Sequence, residues 1–125
     1  MLVVDDDVAI RETLHQLLDD EGYAIEQAPD GVVALEILHT TSRPMVVLLD
    51  MMMPRLDGSG VLRAVAADVR LARRLRFIIM TAAESILTDE VAQLMWRLDA
   101  IALIKPFGID QLLALVAEAS ASLSE

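Results

Sequence analysis

The segment "LLDMMMPRLDG" at residues 48–58 ends an apolar run at Asp50, and a proline, an aspartate and a glycine follow within eight positions. The apolar run is typical of a buried strand, and the stretch from proline to glycine is typical of a loop. A carboxylate at the end of a buried strand needs a compensating cation or hydrogen bonds. The position of Asp50 therefore predicts complementary groups around the end of this strand.

Four further short runs are predicted to be strands, and a segment with helical spacing follows each of the five. The predicted strands are "MLVV" (1–4), "AIEQA" (24–28), "MVVLL" (45–49), "FIIM" (77–80) and "AIALI" (100–104). The last three helices are expected to begin near Gly58, near Ser85 and after Gly108. Strands that are apolar on both faces need helices on both faces. The 125 residues therefore predict one α/β domain with a doubly wound parallel sheet and five helices.

Composition excludes several classes of protein. The chain has 20 acidic and 10 basic residues, and its net charge of −10 disfavours direct binding to nucleic acid. It has no cysteine, so neither a disulfide framework nor a thiolate metal site is expected. No apolar run approaches the ~20 residues of a membrane span, so a cytoplasmic protein without a membrane partner is expected. The basic cluster "RLARRLR" at residues 70–76 is interpreted as a solvated loop.

Polar residues stand where the predicted strands end, and parallel strands bring their carboxyl ends to one edge of a sheet. They are carboxylates, a hydroxyl and an ammonium: Asp5, Asp6, Asp7, Asp50, Thr81 and Lys105. Asp7 alone is interpreted as a helix N-cap. The other carboxylates would repel one another, and Mg²⁺ with oxygen ligands relieves such repulsion. The lysine and the hydroxyl would complete a clamp for phosphoryl oxygens, with Asp50 as a nucleophile toward phosphorus.

In this order and spacing, the motifs resemble the receiver domain of bacterial two-component response regulators. The resemblance rests on "LVVDDD", "APDGVVAL", "VVLLDMMMPRLDG", "FIIMTA" and "LIKPF", and covers residues 1–125. It implies a flavodoxin-like three-layer sandwich with strand order 2-1-3-4-5. It also implies that Asp50 is the phosphoacceptor and that Mg²⁺ is bound by Asp5, Asp6, Asp50 and the backbone carbonyl of Met52. Thr81 and Lys105 would be the switch and phosphate-binding residues, which together with Asp50 carry out catalysis. The peptide bond between Lys105 and Pro106 would be cis.

The resemblance implies a signalling domain rather than an enzyme, one that assists only its own phosphorylation and dephosphorylation. The phosphoryl donor would be a sensor histidine kinase or a phosphotransfer protein. A downstream effector, or a second copy in a homodimer, would bind the surface formed by the fourth helix, fifth strand and fifth helix. Ala102 departs from the family pattern, because an aromatic residue usually stands three positions before the lysine. We therefore expect weakened coupling between the phosphorylation site and this surface.

Three other interpretations remain open from the sequence. A haloacid-dehalogenase-like phosphatase would need an aspartate two residues after Asp50, where Met52 stands. A flavin carrier would need a Ser/Thr/Gly-rich loop after the first strand, where three aspartates stand. An interaction module that has lost phosphorylation is compatible with Ala102. The chain is expected to be either a stand-alone receiver or part of a longer regulator, and Trp96 is expected either on a partner surface or at the edge of the core.

Overall fold

The computed structural model describes residues 1–82 and 88–123, which form five strands and six helices. The strands are β1 (Leu2–Val4), β2 (Glu26–Ala28), β3 (Met45–Asp50), β4 (Leu75–Thr81) and β5 (Ile101–Ile104). The helices are α1 (Val8–Asp20), α2 (Gly31–Thr40), α3 (Gly58–Ala66), α4 (Val69–Arg73), α5 (Asp89–Leu98) and α6 (Ile109–Leu123). Within the described ranges, no helix is long and apolar enough to cross a membrane.

The strands form one parallel sheet in the order β2-β1-β3-β4-β5, which confirms the predicted topology. The register places Asp50 of β3 beside Met80 of β4, and Thr81 of β4 beside Ile104 of β5. The polar residues that follow these strands consequently lie along one edge of the sheet, as expected.

The core consists of two layers because successive side chains of a strand point to opposite faces of the sheet. On one face, residues such as Val47 and Leu49 pack with α2, α3, α4 and α5. On the other face, residues such as Val46 and Leu48 pack with α1 and α6. All four side chains are almost completely buried. The result is the predicted three-layer sandwich.

The basic segment at residues 70–76 is not a loop, so the sequence interpretation was wrong there. Val69–Arg73 form α4, an additional helix beyond the five predicted, and β4 begins directly afterwards at Leu75. Asp68 caps α4, since its Oδ1 accepts a hydrogen bond from the backbone N–H of Leu71 at 3.2 Å. The side chain of Leu71 is buried in the core, which attaches this short helix to the domain.

Arg74 is half-buried and has a structural role that the solvated-loop interpretation did not include. Its Nη2 donates to the carbonyl oxygen of Leu38 at 2.7 Å and to that of Thr41. The carbonyl oxygens at the end of a helix lack partners within that helix. Arg74 therefore ties the segment before β4 to the end of α2.

Two other expectations have different outcomes. The start predicted for the fourth helix, near Ser85, lies outside the described residues. The structure describes this helix, α5, from Asp89 onward, and Thr88 caps it, since its Oγ1 accepts a hydrogen bond from the N–H of Val91 at 3.3 Å. Trp96, on this helix, is 85% exposed, so it does not belong to the edge of the core.

Candidate functional site

Asp50 is the last residue of β3, the central strand, and only 7% of it is exposed. Its Oδ1 accepts a long hydrogen bond of 3.4 Å from the backbone N–H of Met52. The ammonium Nζ of Lys105 lies 3.8 Å from the same oxygen. The carboxylate thus has the compensation that its buried position requires, although both contacts are loose.

Asp5 and Asp6 follow β1 and converge on Asp50. The three carboxylates each place an oxygen within 4.8 Å of the others. Asp5 is 1% exposed, and its Oδ1 accepts a hydrogen bond from the N–H of Asp7 at 2.9 Å. Its Oδ2 is buried without a hydrogen-bond partner among the described residues, and Lys105 Nζ lies 3.7 Å from it. Asp6 is exposed at the mouth of this cluster.

The third carboxylate of the acidic run, Asp7, has a different role. Asp7 caps α1, since its Oδ1 accepts hydrogen bonds from the N–H groups of Ala9 and Ile10 at 2.9 and 3.2 Å. The structure therefore agrees with the N-cap interpretation and separates Asp7 from the three converging carboxylates.

Lys105 and Thr81 complete the edge of the sheet on the other side of Asp50. Thr81 ends β4 and is 1% exposed. The backbone N–H of Lys105 donates to the carbonyl oxygen of Thr81 at 2.7 Å, which fixes the start of the loop after β5. The peptide bond between Lys105 and Pro106 is cis, as the resemblance implies.

Burial raises the pKa of the Asp50 carboxyl, and repulsion from Asp5 and, more weakly, from Asp6 raises it further. The ammonium of Lys105 and the N–H of Met52 act in the opposite direction, but the pKa remains raised. The ionised form of Asp50 is therefore held at a cost in free energy, which a divalent cation would offset.

The loop after β3 is shaped by close contact of its backbone with α3. The N–H of Gly58 donates to the carbonyl oxygen of Met51 at 3.1 Å. A Cβ at position 58 would lie 2.8 Å from the carbonyl oxygen of Asp50, so only glycine fits there without a shift. Met51 is buried beneath the loop, whereas the side chain of Met52 is exposed. This packing fixes the backbone on both sides of Asp50.

A family model described as the response regulator receiver domain matches residues 1–117. The chain belongs to the response regulator receiver domains. Domains of this family are the phosphoacceptors of two-component signalling, so the signalling class predicted from the sequence is confirmed. Neither the phosphatase nor the flavin-carrier interpretation is compatible with this family.

Curated relatives and solved structures resemble this receiver domain over most of its length. Response regulator MprA of Mycobacterium sp. (strain KMS) is 43% identical over 114 residues, which are 91% of this chain and 47% of that protein. The chain thus spans about half the length of the curated relatives that it matches.

Two solved structures share both fold and sequence with this receiver domain. The receiver domain of Francisella response regulator 1452 has a TM-score of 0.80 and 30% identity, covering 94% of this chain and 93% of the other. Response regulator TrrA from Thermotoga maritima, solved in complex with Mg²⁺ and BeF, has a TM-score of 0.78 and 30% identity, covering 94% and 96%.

The acidic cluster of this receiver domain is suited to Mg²⁺ in its donor chemistry. Mg²⁺ prefers oxygen ligands and retains several waters, so a few carboxylates on one side of the ion suffice. Asp5, Asp6 and Asp50 offer three such oxygens. Oδ2 of Asp5 has no hydrogen-bond partner among the described residues, so it is a buried acceptor that an ion or its water would satisfy.

Sequence reasoning missed a set of polar residues behind Asp5. Nη1 of Arg11 donates to the backbone carbonyl oxygen of Asp5 at 2.8 Å, and its Nε donates to Oε1 of Gln27 at 3.1 Å. Nε2 of Gln27 lies 2.7 Å from Nδ1 of His15. The position of Arg11 in the first turn of α1 could have indicated its closeness to Asp5. The contact with Gln27 depends on the register of β2, which the weak alternation of that strand does not predict.

Proposed function

We propose that Asp50 takes a phosphoryl group from a sensor histidine kinase or a phosphotransfer protein, in a Mg²⁺-dependent reaction. The observation that carries the proposal is the convergence of three carboxylate oxygens within 4.8 Å of one another, with Lys105 Nζ 3.8 Å from Asp50. A structural role for these charges does not explain why like charges are gathered at a buried strand end. Phosphoryl transfer needs both a nucleophile and compensation of phosphoryl charge, and this arrangement supplies both.

In the proposed reaction, a carboxylate oxygen of Asp50 attacks the phosphorus of a phosphohistidine. The new P–O bond forms as the P–N bond breaks, and the electron pair of the P–N bond stays on the imidazole nitrogen, which becomes protonated. Lys105 and the hydroxyl of Thr81 donate to phosphoryl oxygens, and this is their catalytic part. When bound, Mg²⁺ neutralises phosphoryl charge. The chain acts only on its own phosphoryl group, which attack by water later removes.

The ligands proposed for Mg²⁺ are carboxylates and one backbone carbonyl. Asp6 and Asp50 bind the ion directly, Asp5 binds it mostly through water, and the carbonyl oxygen of Met52 supplies a further ligand. The buried Oδ2 of Asp5, which has no hydrogen-bond donor among the described residues, supports this assignment, as does the Mg²⁺ in the TrrA complex.

The metal assignment is tested by Asp6→Ala, with Asp7→Asn as the control. Loss of a residue that only hydrogen-bonds to a metal ligand typically costs 10–100-fold in metal affinity, and loss of a direct ligand should cost at least about as much. We expect this loss for Asp6→Ala in a calorimetric Mg²⁺ titration, and an almost unchanged affinity for Asp7→Asn, which keeps the helix cap. Equal affinities of Asp6→Ala and the unmodified protein would contradict the assignment.

The phosphoacceptor assignment is tested by intact mass after incubation with acetyl phosphate and Mg²⁺. We expect one phosphate adduct in the unmodified protein, none in Asp50→Asn, and an undiminished adduct in the control Asp57→Asn. Asp57 is the matched control because it lies on the same loop and caps α3 through its side chain, a role that asparagine can keep. An adduct that persists in Asp50→Asn would refute the proposal.

The proposed domain comprises residues 1–125 and acts in the cytoplasm, where ATP-dependent kinases supply phosphoryl groups. Its proposed output surface is formed by α5, β5 and α6 and serves a downstream effector or a second copy in a homodimer. The exposure of Trp96 on α5 supports a partner there, because exposed tryptophans are frequent anchors of interfaces. Ala102 lies on β5, half-buried, and a methyl group cannot transmit a rearrangement at Thr81 as an aromatic ring would.

A further inference from the structure

A cleft of about 430 Å³ lies at the edge of the sheet opposite the acidic cluster. It is bounded by the end of α3, by α4, by the beginning of β4 and by the end of α5. Arg76, on its wall, stands four residues before Met80, the residue that pairs with Asp50. At roughly 3.3 Å per residue, about 13 Å of strand separate the cleft from the phosphorylation site. The two sites are therefore distinct.

Three arginines line this cleft: Arg73, Arg76 and Arg97. None of them forms an ion pair with a carboxylate in the part of the chain that the structure describes. Arg73 and Arg97 lie in the last turns of α4 and α5, where a cation interacts favourably with the helix dipole. That interaction accounts for Arg73 and Arg97 singly but not for the position of both beside one cleft.

Arg76 is held in place by the fold. Its Nε donates to Oγ of Ser122 at 3.1 Å, and its Nη1 donates to the carbonyl oxygen of Leu75 at 2.9 Å. These contacts hold the half-buried guanidinium against the end of α6 and the backbone of β4, while Arg76 itself is one of the residues that line the cleft. Although the chain has a net charge of −10, exposed charges more than about 8 Å away are largely screened at physiological salt. The local potential is therefore set mainly by the three arginines and by Asp99, which line the cleft.

Apart from Asp99, the remaining wall of the cleft is apolar. Ala66 ends α3, Val69 and Ala72 belong to α4, and Leu98 ends α5. Val69 is 65% exposed, so it presents apolar surface at the cleft. The additional helix α4 thus contributes both apolar surface and one of the arginines.

We propose that this cleft binds a nucleotide-sized phosphate ester, with the phosphate on the arginines and the apolar part of the ligand against α4. Guanidinium groups bind phosphate through paired hydrogen bonds. The carboxylate of Asp99 on the rim disfavours a bare anion and favours a ligand that also brings a hydroxyl or amino donor. The volume is that of a small-ligand site, whereas a protein partner would need roughly 800 Å² of contact surface.

The proposal is tested by titrating the ¹⁵N-labelled protein with ADP, adenosine and pyrophosphate in the presence of EDTA. Without Mg²⁺ the acidic cluster repels phosphate, so binding there is suppressed. We expect ADP to shift the amide signals of residues 69–76 and 97–99 at lower concentration than either pyrophosphate or adenosine. ADP-induced shifts confined to the surroundings of Asp50 and Lys105 would overturn the proposal.

Variants separate specific binding from general attraction of anions. Arg73→Ala and Arg97→Ala should each weaken ADP binding about tenfold or more, the loss expected for one charge-assisted contact. The matched control is Arg70→Ala, which removes the same charge from the same helix but from outside the cleft lining, and should change affinity less than about twofold. Equal losses in all three variants would overturn the proposal, and so would stronger binding of an acidic peptide than of ADP at the same residues.

Discussion

The two edges of the sheet carry opposite charges, which are mostly buried at one edge and mostly exposed at the other. At the carboxyl ends of the strands, Asp5 and Asp50 are buried and their oxygens converge toward one point. At the opposite edge, Arg73 and Arg97 are exposed and surround an open cleft. Burial makes unpaired charge costly, so the acidic edge demands a small cation at one place. Exposure removes that demand, so the basic edge leaves room for a larger anion.

The largest effect is expected at Lys105, whose ammonium lies close to both buried carboxylates of the acidic edge. Lys105→Met should slow phosphorylation by acetyl phosphate about a hundredfold at saturating Mg²⁺, since one lost donor to a developing oxyanion typically costs this much. The same variant should bind Mg²⁺ more tightly, because the ammonium within 3.8 Å of both buried carboxylates is gone. Initial rates followed by intact mass, and a Mg²⁺ titration, measure the two effects.

The control for Lys105→Met is Arg55→Met. Arg55 is a cation on the loop after β3, and it pairs with Asp30 at 3.4 Å rather than with the acidic cluster. Its removal should leave the phosphorylation rate almost unchanged. A rate in Lys105→Met equal to that of the control would show that the acidic edge works without its lysine.

The acidic edge could be predicted from the sequence because its residues stand directly at strand ends. A strand boundary that is wrong by one residue still leaves Asp50, Thr81 and Lys105 at the same edge once the strands are known to be parallel. Sequence also predicted the Asp7 cap and the need for compensation at Asp50. These features depend on local position and on the parallel sheet alone.

The basic edge could not be predicted in the same way. Helix α4 has only five residues and one buried side chain, Leu71, so the alternation of arginine with alanine and leucine resembles a polar loop. The contacts of Arg74 with the end of α2 join residues more than thirty positions apart. Neither feature leaves a periodic signal, since both arise from packing between distant segments.

A second, smaller effect on stability should distinguish Arg74 from Arg70, two arginines of the segment between α3 and β4. Arg74→Ala should lower the free energy of unfolding by about 1–3 kcal/mol, because two carbonyl oxygens at the end of α2 lose their donor. Arg70→Ala, at an exposed position on α4, should change it by less than about 0.5 kcal/mol. Urea unfolding followed by circular dichroism measures both values. Equal destabilisation would show that Arg74 is as solvated as its neighbours.

A third effect concerns how the ionised carboxyl of Asp50 lowers the stability of the folded protein. The pKa of Asp50 is raised in the folded protein, chiefly by burial, so the folded state holds its proton more tightly than the unfolded state does. The stabilisation from this protonated carboxyl is complete below the unfolded pKa of about 3.9, and it is lost as pH rises through the folded pKa. Without Mg²⁺, Asp50→Asn should therefore be more stable than the unmodified protein at pH 7.

This advantage of Asp50→Asn should shrink as pH falls through the raised folded pKa of Asp50, because the carboxyl then becomes neutral in the folded protein. Urea unfolding of both proteins across this range, with EDTA present, provides the comparison, and Asp57→Asn serves as an exposed control. An advantage independent of pH would mean that charge repulsion at Asp50 is not its cause.

The smallest effect is expected where the acidic edge communicates with the output surface. With Ala102 in place of an aromatic residue, the coupling between the phosphorylation site and the output surface should be weaker by about 1 kcal/mol. The coupling is limited by the difference in contacts between the unphosphorylated and phosphorylated states. Amide shifts induced by beryllofluoride should be large around Asp50 and small across residues 89–104. Ala102→Tyr should enlarge the amide shifts across residues 89–104. Equally large shifts in both regions of the unmodified protein would show that the switch operates without the aromatic residue.

The central claim is that Asp50, and none of the carboxylates near it, receives the phosphoryl group. Borohydride reduces an acyl phosphate to an alcohol, so a phosphorylated aspartate is converted to homoserine and can be located by peptide mass spectrometry. After incubation with acetyl phosphate and Mg²⁺, we predict homoserine at position 50 alone, and none when Mg²⁺ is replaced by EDTA. Homoserine at position 5, 6 or 57, or its formation at position 50 at the same level with EDTA, would contradict the account.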